Sequence, residues 1–255
     1  MDSTLAKGLA VLEWLAQQPR PARVSDVAKA FGVVRSNAHR TLQTLVACGW
    51  AQQDPQTTAY RASLKLFELG AMVEAASDLR ELLRPHLAEL AKTTGETIHL
   101  AVLDGADIVY IDKFDSPLPV AAYSRIGGRA SAACVASGKA LLAALNEDES
   151  TLRARLGDLS AHTEHSMTDY ADLLKDLAQT RDRGTAENRQ EWRIGVCGLG
   201  APVFNARQEP VAALGISVPA IRFERRRALA LSRTLLAQAQ EASRTLGFRG
   251  TRPSI

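Results

Sequence analysis

The sequence has few cysteines and no long apolar run, and each scarcity excludes a class of protein. Its three cysteines, Cys48, Cys134 and Cys197, are odd in number and form no C-x-x-C pair, which argues against a disulfide framework and a cysteine zinc site. No apolar run approaches the roughly 18 residues that a membrane span needs, and the N-terminus lacks the pattern of a secretory signal. We therefore expect a cytoplasmic protein with reduced, mostly buried thiols and no membrane partner.

The positive charge is concentrated near the N-terminus. Residues 1–65 hold eight basic side chains against four acidic ones, whereas the rest of the chain holds 23 basic and 24 acidic ones. This asymmetry indicates a module that faces a polyanion, joined to a nearly neutral module. The chain, with 255 residues of which 46% are hydrophobic, is long enough for two separate cores.

Residues 1–62 carry the pattern of a winged helix-turn-helix. Apolar residues recur at helical spacing from 4 to 17, a short second helix that Ser25 is placed to cap ends at Gly32, and a third helix spans about 35–47. The Asp54-Pro55 turn between two half-polar runs then predicts a β-hairpin. Residues 63–78 are apolar around too much of their circumference for a solvated segment. We predict a linker helix there, packed against a partner chain.

Residues 79–255 carry both strand-like and helix-like patterns of apolar residues. These patterns predict an α+β domain with an antiparallel sheet. Two β-rich runs meet at Asp104-Gly105, a dipeptide suited to a hairpin turn. Two further strands are expected within residues 196–219. Helical periodicity marks residues 138–146, 169–183 and 223–246.

The third predicted helix begins with a polar cluster, "RSNAHRTLQT", that contains no acidic residue. If Ala38, Leu42 and Leu45 face the core, the opposite side offers Arg for guanine, Asn and Gln for adenine, and Ser or Thr for phosphates or base edges. We predict a base-contacting face with a phosphate contact from the hairpin, formed by Arg35, Ser36, Asn37, Arg40, Gln43, Thr44 and Arg61. A solvated basic helix would look similar, but the short helix and glycine turn before it, and the hairpin after it, favour DNA binding.

Other polar residues have weaker functional interpretations. His39 is predicted to lie beside the core and to pack or contact phosphate. His162 and His165 have a spacing compatible with a metal on a helix, but no third ligand is evident, so no metal is expected. Nothing brings Cys134 and His99 together as a thiol and its base. The basic run of residues 225–227 is interpreted as a solvated face of the last helix.

These segments resemble the IclR family of bacterial transcription regulators across nearly the whole chain. "RSNAHRTLQTL" resembles the family's Ser-Thr-x-x-Arg-Leu-Leu-x-x-Leu pattern, with Asn37 where Thr is usual. "ACVASGKALLAAL" is similar to its Cys-Thr-Ala-x-Gly-Lys-Ala helix entry, and "GVCGLGAPVFN" and "VAALGISVP" match its closing strands.

The resemblance implies a homodimer or homotetramer, without a cofactor, that binds operator DNA through the winged helix and a small-molecule effector through a GAF-like domain. Carried over by position, it places the effector against a loop of Ala136 and Ser137, where backbone N–H groups can receive a carboxylate. The opposing wall maps to Asn188 and Ser217, and Cys134 lies at the pocket rim.

Three positions depart from relatives that bind small keto-acids, which tend to have an acid, a Cys and a Ser where this chain has Asn188, Gly198 and Gly215. Each replacement removes charge or bulk. We infer a roomier, less acidic pocket that suits a larger ligand, such as an aromatic carboxylate. Trp192 and Arg189 are placed to stack on or pair with it, although packing explains Trp192 equally well.

Two functions from different classes fit these patterns. One is a DNA-binding regulator of a catabolic operon that responds to a small organic carboxylate or carbonyl compound. The other is an enzyme acting on a small organic acid, with a basic N-terminal extension. The predicted pocket residues lack an evident nucleophile, base and orienting group, which favours the regulator.

Overall fold

The computed structural model of the protein describes residues 3–75, 79–122 and 124–250. Contacts within the chain divide it into two units, Met1–Asp78 and Leu79–Ile255. Residues 76–78, the end of the predicted linker helix, lie outside the described part. No helix among the described residues has the length and apolar character that crossing a membrane requires.

The first unit is a winged helix-turn-helix. Its elements are α1 (Ser3–Gln17), α2 (Val24–Phe31), α3 (Arg35–Ala47), β1 (Ala51–Gln53), β2 (Tyr60–Ala62) and α4 (Lys65–Ala75). Strands β1 and β2 pair antiparallel and form the wing. Ala38, Leu42 and Leu45 face the core as predicted, and Tyr60 fills its centre without exposure to solvent.

Three details predicted for this unit are wrong. Arg23, not Ser25, occupies the cap position of α2, and its backbone N–H donates to the Asp26 carboxylate over 2.8 Å. His39 is exposed, so its predicted packing beside the core is wrong, while the phosphate contact stays a prediction. The predicted apolar face of α1 is only partly buried: Leu5 and Leu9 are 61% and 56% exposed, because α1 enters the core through its C-terminal half, at Val11, Leu12 and Leu15.

The second unit contains an antiparallel six-stranded sheet in the order β5-β4-β3-β8-β7-β6. The strands are β3 (Thr97–Asp104), β4 (Asp107–Phe114), β5 (Arg129–Ser131), β6 (Ala186–Arg189), β7 (Val196–Phe204) and β8 (Pro210–Pro219). Gly105 adopts φ +63°, which allows the tight β3–β4 turn predicted from Asp104-Gly105.

Helices cover both faces of this sheet. They are α5 (Leu79–Thr94), α6 (Ala136–Leu145), α7 (Glu149–Leu156), α8 (Tyr170–Arg183) and α9 (Arg225–Thr245). Leu87 of α5 and Leu235 of α9 pack on one face, whereas Leu141 of α6 and Leu177 of α8 belong to the core on the other. The unit is therefore the α+β fold predicted, with its sheet between two helical layers.

Candidate functional site

Helix α3 presents the predicted base-contacting residues on its solvent side. Arg35, Ser36, Asn37, Arg40 and Thr44 are exposed. The Arg40 Nη2 atom lies 3.5 Å from the Asn37 Oδ1 atom, at the limit of a hydrogen bond, so its guanidinium keeps donors for another acceptor. The exposed surface of α3 thus carries the donors and acceptors that base edges require.

Gln43 differs from the other residues of this face because it links α3 to the wing. It is half-buried, and its Nε2 donates to the Tyr60 hydroxyl over 2.8 Å and to the Gln53 side chain over 3.2 Å. These two bonds use both hydrogens of its amide, so only its oxygen remains for a base. Arg61, at the base of the wing, is exposed and donates to the Gln52 side chain over 3.1 Å.

A cavity of about 400 Å³ in the second unit lies between the start of α6 and strands β3, β7 and β8. Every predicted effector-site residue except Cys134 lines it: Ala136, Ser137, Asn188, Trp192, Gly198, Gly215 and Ser217. Cys134 instead lines a neighbouring cavity of about 240 Å³, because the chain passes from one cavity to the other between Cys134 and Val135. The prediction for Cys134 is therefore wrong.

One end of the cavity is formed by the first turn of α6. Ala136 and Ser137 belong to this helix and not to a loop as expected, and Val135 occupies the cap position without a side-chain cap. The Lys139 N–H donates to the Val135 carbonyl, whereas the preceding three N–H groups have no backbone acceptor among the described residues. Such groups at a helix N-terminus favour an anion.

The floor of the cavity is polar and uncharged. The His99 Nε2 atom lies 2.6 Å from the Ser124 hydroxyl, and its Nδ1 atom lies 3.4 Å from the Ser217 hydroxyl. Burial, reinforced by the Lys113 charge, lowers the pKa of His99 to about 4, so the ring is neutral at neutral pH. Burial likewise raises the pKa of Tyr110, whose ring centroid is 4.7 Å from that of His99, to about 12. Both rings therefore provide neutral hydrogen-bonding groups.

The charges around the cavity are positive. The described residues that line it include Arg125, Arg129 and Arg193 but no Asp or Glu. Arg129 pairs with Asp104 over 2.7 Å and with Asp107 over 3.2 Å. Arg125 and Arg193 are exposed and form no ion pair with a described residue. The mouth of the cavity therefore attracts anions.

Lys139 connects α6 to α8 and to the turn after β6, behind the cavity. Its buried Nζ lies 2.9 Å from the Glu191 carboxylate and 3.0 Å from the Asp176 carboxylate. Burial raises the pKa of Glu191, and Lys139 opposes that rise. The Glu191 backbone N–H donates to the Asn188 Oδ1 atom over 3.0 Å, while the Asn188 Nδ2 atom has no acceptor among the described residues. The lysine thus holds the turn that orients Asn188.

The glycines of this site have a different role from the one inferred. A Cβ added at Gly215 would lie 2.4 Å from the Ser137 Oγ atom, and one at Gly198 would lie 3.1 Å from the Ile216 carbonyl. Gly215 therefore accommodates the first turn of α6, not ligand bulk, because the Ser137 side chain already occupies that space. The inference that Gly215 enlarges the pocket is wrong.

Three further interpretations are corrected or limited by the structure. Arg189 does not line the cavity: it pairs with Glu187, and its guanidinium lies 5.0 Å from the Phe223 ring centroid. The His162 ring packs against that of Trp192 at an interplanar angle of 58°, and no group of three or more potential metal ligands occurs among the described residues. Arg227, in the basic run interpreted as solvated, pairs with the buried Glu96 over 2.7 Å.

The pocket residues missed by sequence reasoning are those that only folding brings to it. His99, Tyr110, Ser124, Arg125 and Arg193 come from four separate segments. A signal existed for the two ring residues on strands. His99 alternates with Ala101 and Leu103, and Tyr110 alternates with Ile108, all of which belong to the core beneath α6, so strand alternation places both rings on that face of the sheet.

Comparison with known proteins decides between the two functions. The family model described as "Bacterial transcriptional regulator IclR C-terminal" matches residues 72–244, and the one described as "IclR helix-turn-helix domain" matches residues 4–55. The chain belongs to the IclR family. It is thus a DNA-binding transcriptional regulator with an effector domain, and its curated relatives are named as regulators or repressors, not as enzymes.

These relatives and solved structures match along nearly the whole chain. The HTH-type transcriptional regulators XynR and KdgR of Escherichia coli (strain K12) are 35% and 33% identical over 246 residues, which cover 96% of this chain and 97% and 93% of theirs. The crystal structure of the Thermotoga maritima IclR protein covers 97% of this chain and 100% of its own, with 31% identity and a TM-score of 0.80. An IclR homolog from Microbacterium hydrocarbonoxydans, complexed with 4-hydroxybenzoate, shares the fold at TM-score 0.80 and 22% identity, over 96% and 99% of the two chains.

Proposed function

We propose that this IclR-family regulator binds operator DNA as a homodimer or a pair of homodimers and responds to a small aromatic carboxylate, controlling a catabolic operon. In this proposal α3 contacts bases through Arg35, Ser36, Asn37, Arg40 and Thr44, and Gln43 mainly braces the wing. The observation that carries the effector proposal is a cavity that joins a helix N-terminus to basic side chains and contains no carboxylate among its described lining residues.

A carboxylate is the ligand group that the α6 end favours. Ala136 and Ser137, in the first turn of α6, line the cavity, so their backbone N–H groups and the Ser137 hydroxyl can donate to an anion there. The Asn188 amide and the Ser217 hydroxyl provide hydrogen bonds from the facing strands. An acid at position 188 would repel such a ligand, whereas the asparagine amide does not.

An aromatic ring is the ligand body that the walls favour. The cavity volume of about 400 Å³ lies within the range of about 300–1,000 Å³ typical of small-molecule sites. Tyr110 and Trp192 offer ring faces, and Val135 and Ile216 offer aliphatic contacts. The complex of the Microbacterium homolog with 4-hydroxybenzoate shows that a protein of this fold binds such a compound, which supports the proposal.

Dimerisation is proposed from exposed apolar side chains in the first unit. Leu64 and Phe67, at the start of α4, are 75% and 74% exposed, and Leu5 and Leu9 of α1 are more than half exposed. A partner chain would remove this apolar surface from water. One N-terminal module, whose residues 1–65 carry an excess of four positive charges, binds DNA weakly, whereas two copies can contact both half-sites of a pseudo-palindrome.

Calorimetry tests the effector proposal directly. We expect benzoate and 4-hydroxybenzoate to bind, and Arg193→Ala to weaken that binding more than Arg181→Ala, a matched exposed arginine of α8 outside the cavity. Tight binding of glyoxylate or pyruvate without binding of any aromatic carboxylate would contradict the proposal.

The DNA-binding proposal is tested with the DNA upstream of the protein's own gene. A gel shift should show specific binding that weakens steeply as salt rises. Sedimentation should show at least a dimer at micromolar concentration. A monomer that still binds one half-site tightly would argue against the dimeric operator complex.

A further inference from the structure

A second cavity lies directly beside the proposed effector pocket. Trp192 lines both cavities. Along β5, Arg129 lines the pocket and Ser131 lines the second cavity, so two residues on the same face of one strand belong to adjacent spaces. Just before α6, Val135 likewise lines the pocket, whereas its neighbour Cys134 lines the second cavity. The two spaces are therefore separated by a single layer of side chains.

The Trp192 indole is a fixed part of that layer. Its ring centroid lies 4.3 Å from that of His162. The backbone just before it is held by the Ser166 hydroxyl, which donates to the Glu191 carbonyl over 2.7 Å, and by the Thr163 hydroxyl, which donates to the Gln190 carbonyl over 2.8 Å. The hydrogen bonds hold the backbone that carries Trp192, and the His162 ring packs against the indole. The indole therefore lies between the cavities and blocks a ligand in the pocket from the second cavity.

The two cavities differ in charge. The described lining of the pocket includes no carboxylate, whereas the second cavity is lined by Asp158 and by Asp107, which pairs with Arg129. Hydroxyl groups and apolar side chains complete the second cavity, namely Ser131, Ser160, Leu156, Leu159 and Met167. A molecule that reached both would carry a carboxylate at the α6 end and a hydrogen-bond donor at the other.

We propose that Trp192 sets the maximum length of the effector by closing the pocket against the second cavity. This inference rests on the proposed function, in which a carboxylate binds at the start of α6. With the indole in place, the pocket holds one aromatic ring. Without it, the pocket and the second cavity form one elongated site that also holds a second ring with a terminal hydroxyl near Asp107 and Asp158.

Calorimetry with two probes tests this inference. 4-Hydroxybenzoate is the short probe and 4′-hydroxybiphenyl-4-carboxylate is the long one. We expect Trp192→Ala to raise the affinity for the long probe by about tenfold or more, because a second ring is buried. The double variant Trp192→Ala/Leu159→Trp, which places a bulky side chain on the lining of the second cavity, should lose that gain. Equal affinity of the native protein and Trp192→Ala for the long probe, or a gain that survives in the double variant, would overturn the inference.

A thiol measurement separates failure of this inference from failure of the proposed function. Cys134 is buried in the second cavity, so its reaction with an anionic methanethiosulfonate reports access to that cavity. In a Cys48→Ser background, which removes the exposed thiol, Trp192→Ala should speed this reaction by about tenfold or more. A Cys134→Ser variant measures any reaction at Cys197. If no carboxylate binds to any variant, the proposed function fails and the thiol rate decides the inference: a faster reaction supports it, and an unchanged one overturns it.

Discussion

Gly215→Ala tests the close approach of α6 to the sheet, on which the geometry of the pocket depends. The added Cβ would lie 2.4 Å from the Ser137 Oγ atom, and the next neighbours are the Leu199 carbonyl at 3.7 Å and the Ser137 Cβ at 3.8 Å. The clash is therefore with one hydroxyl oxygen. We expect Gly215→Ala to lower the free energy of unfolding by about 1–2 kcal/mol, within the usual range for overpacking.

The same substitution should cost almost nothing once Ser137 is alanine. The two remaining neighbours are at ordinary van der Waals distances, and alanine is favoured over glycine by roughly 0.5–1 kcal/mol within a strand. Gly200→Ala is the matched control, because its Cβ would lie 2.3 Å from the Ala136 backbone carbonyl, which no side-chain substitution removes. Ser137→Ala should therefore rescue Gly215→Ala but not Gly200→Ala.

Urea unfolding followed by tryptophan fluorescence measures this coupling. The two tryptophans of the first unit are replaced beforehand, so that the remaining Trp192 reports unfolding of the second unit only. A double-mutant cycle between positions 137 and 215 should give a coupling of about 1–2 kcal/mol. Equal destabilisation by Gly215→Ala in both backgrounds, or equal rescue of Gly200→Ala, would refute the proposed packing of α6 on β8.

The remaining predictions concern DNA, effector and pH. Arg40→Ala should weaken operator binding by about 1–3 kcal/mol in fluorescence anisotropy at fixed salt; unchanged affinity would remove Arg40 from the base-contacting face. Ser217→Ala should weaken carboxylate binding by roughly 0.5–1.5 kcal/mol in calorimetry, and no change would exclude a hydrogen bond to the ligand. Burial lowers the pKa of His99 in the folded protein to about 4, against 6.5 for a free histidine. Between pH 6.5 and pH 4, His99 is therefore protonated in the unfolded chain but neutral in the folded protein. Stability should therefore be full above pH 6.5 and fall by roughly 3 kcal/mol toward pH 4; a His99→Gln variant with the same decline would contradict this.

Several elements of the fold were predicted from hydrophobic periodicity, whereas helices α5 and α7 and strands β5 and β6 were not. Helix α3 begins and ends as predicted. The predicted β3–β4 hairpin forms, but its two-residue turn is Gly105-Ala106, one residue later than expected, because Asp104 pairs with Asp107 and Gly105 adopts positive φ. The cap of α2 was not predictable from residue preference. A serine usually caps a helix through its side chain, but here the Asp26 carboxylate receives the backbone N–H of Arg23.

The candidate site was predictable only where the family resemblance supplied it, on two separate segments. Resemblance to the family placed Ala136, Ser137 and Ser217 around one cavity. The roles of Gln43 and Gly215 depend on partners elsewhere in the chain, namely Tyr60 and Ser137, so no local pattern reveals them. Cys134 was misassigned because it and the next residue line different cavities, and residue spacing does not reveal such a change.

The central claim is that a carboxylate bound in the second unit controls the DNA affinity of the first. Fluorescence anisotropy with operator DNA, titrated against the full-length protein with and without a saturating aromatic carboxylate, measures this coupling directly. The account predicts a change in operator affinity of about fivefold or more, in either direction, and the same factor in carboxylate affinity when operator is present. A carboxylate that binds the protein tightly while operator affinity stays unchanged would contradict the claim.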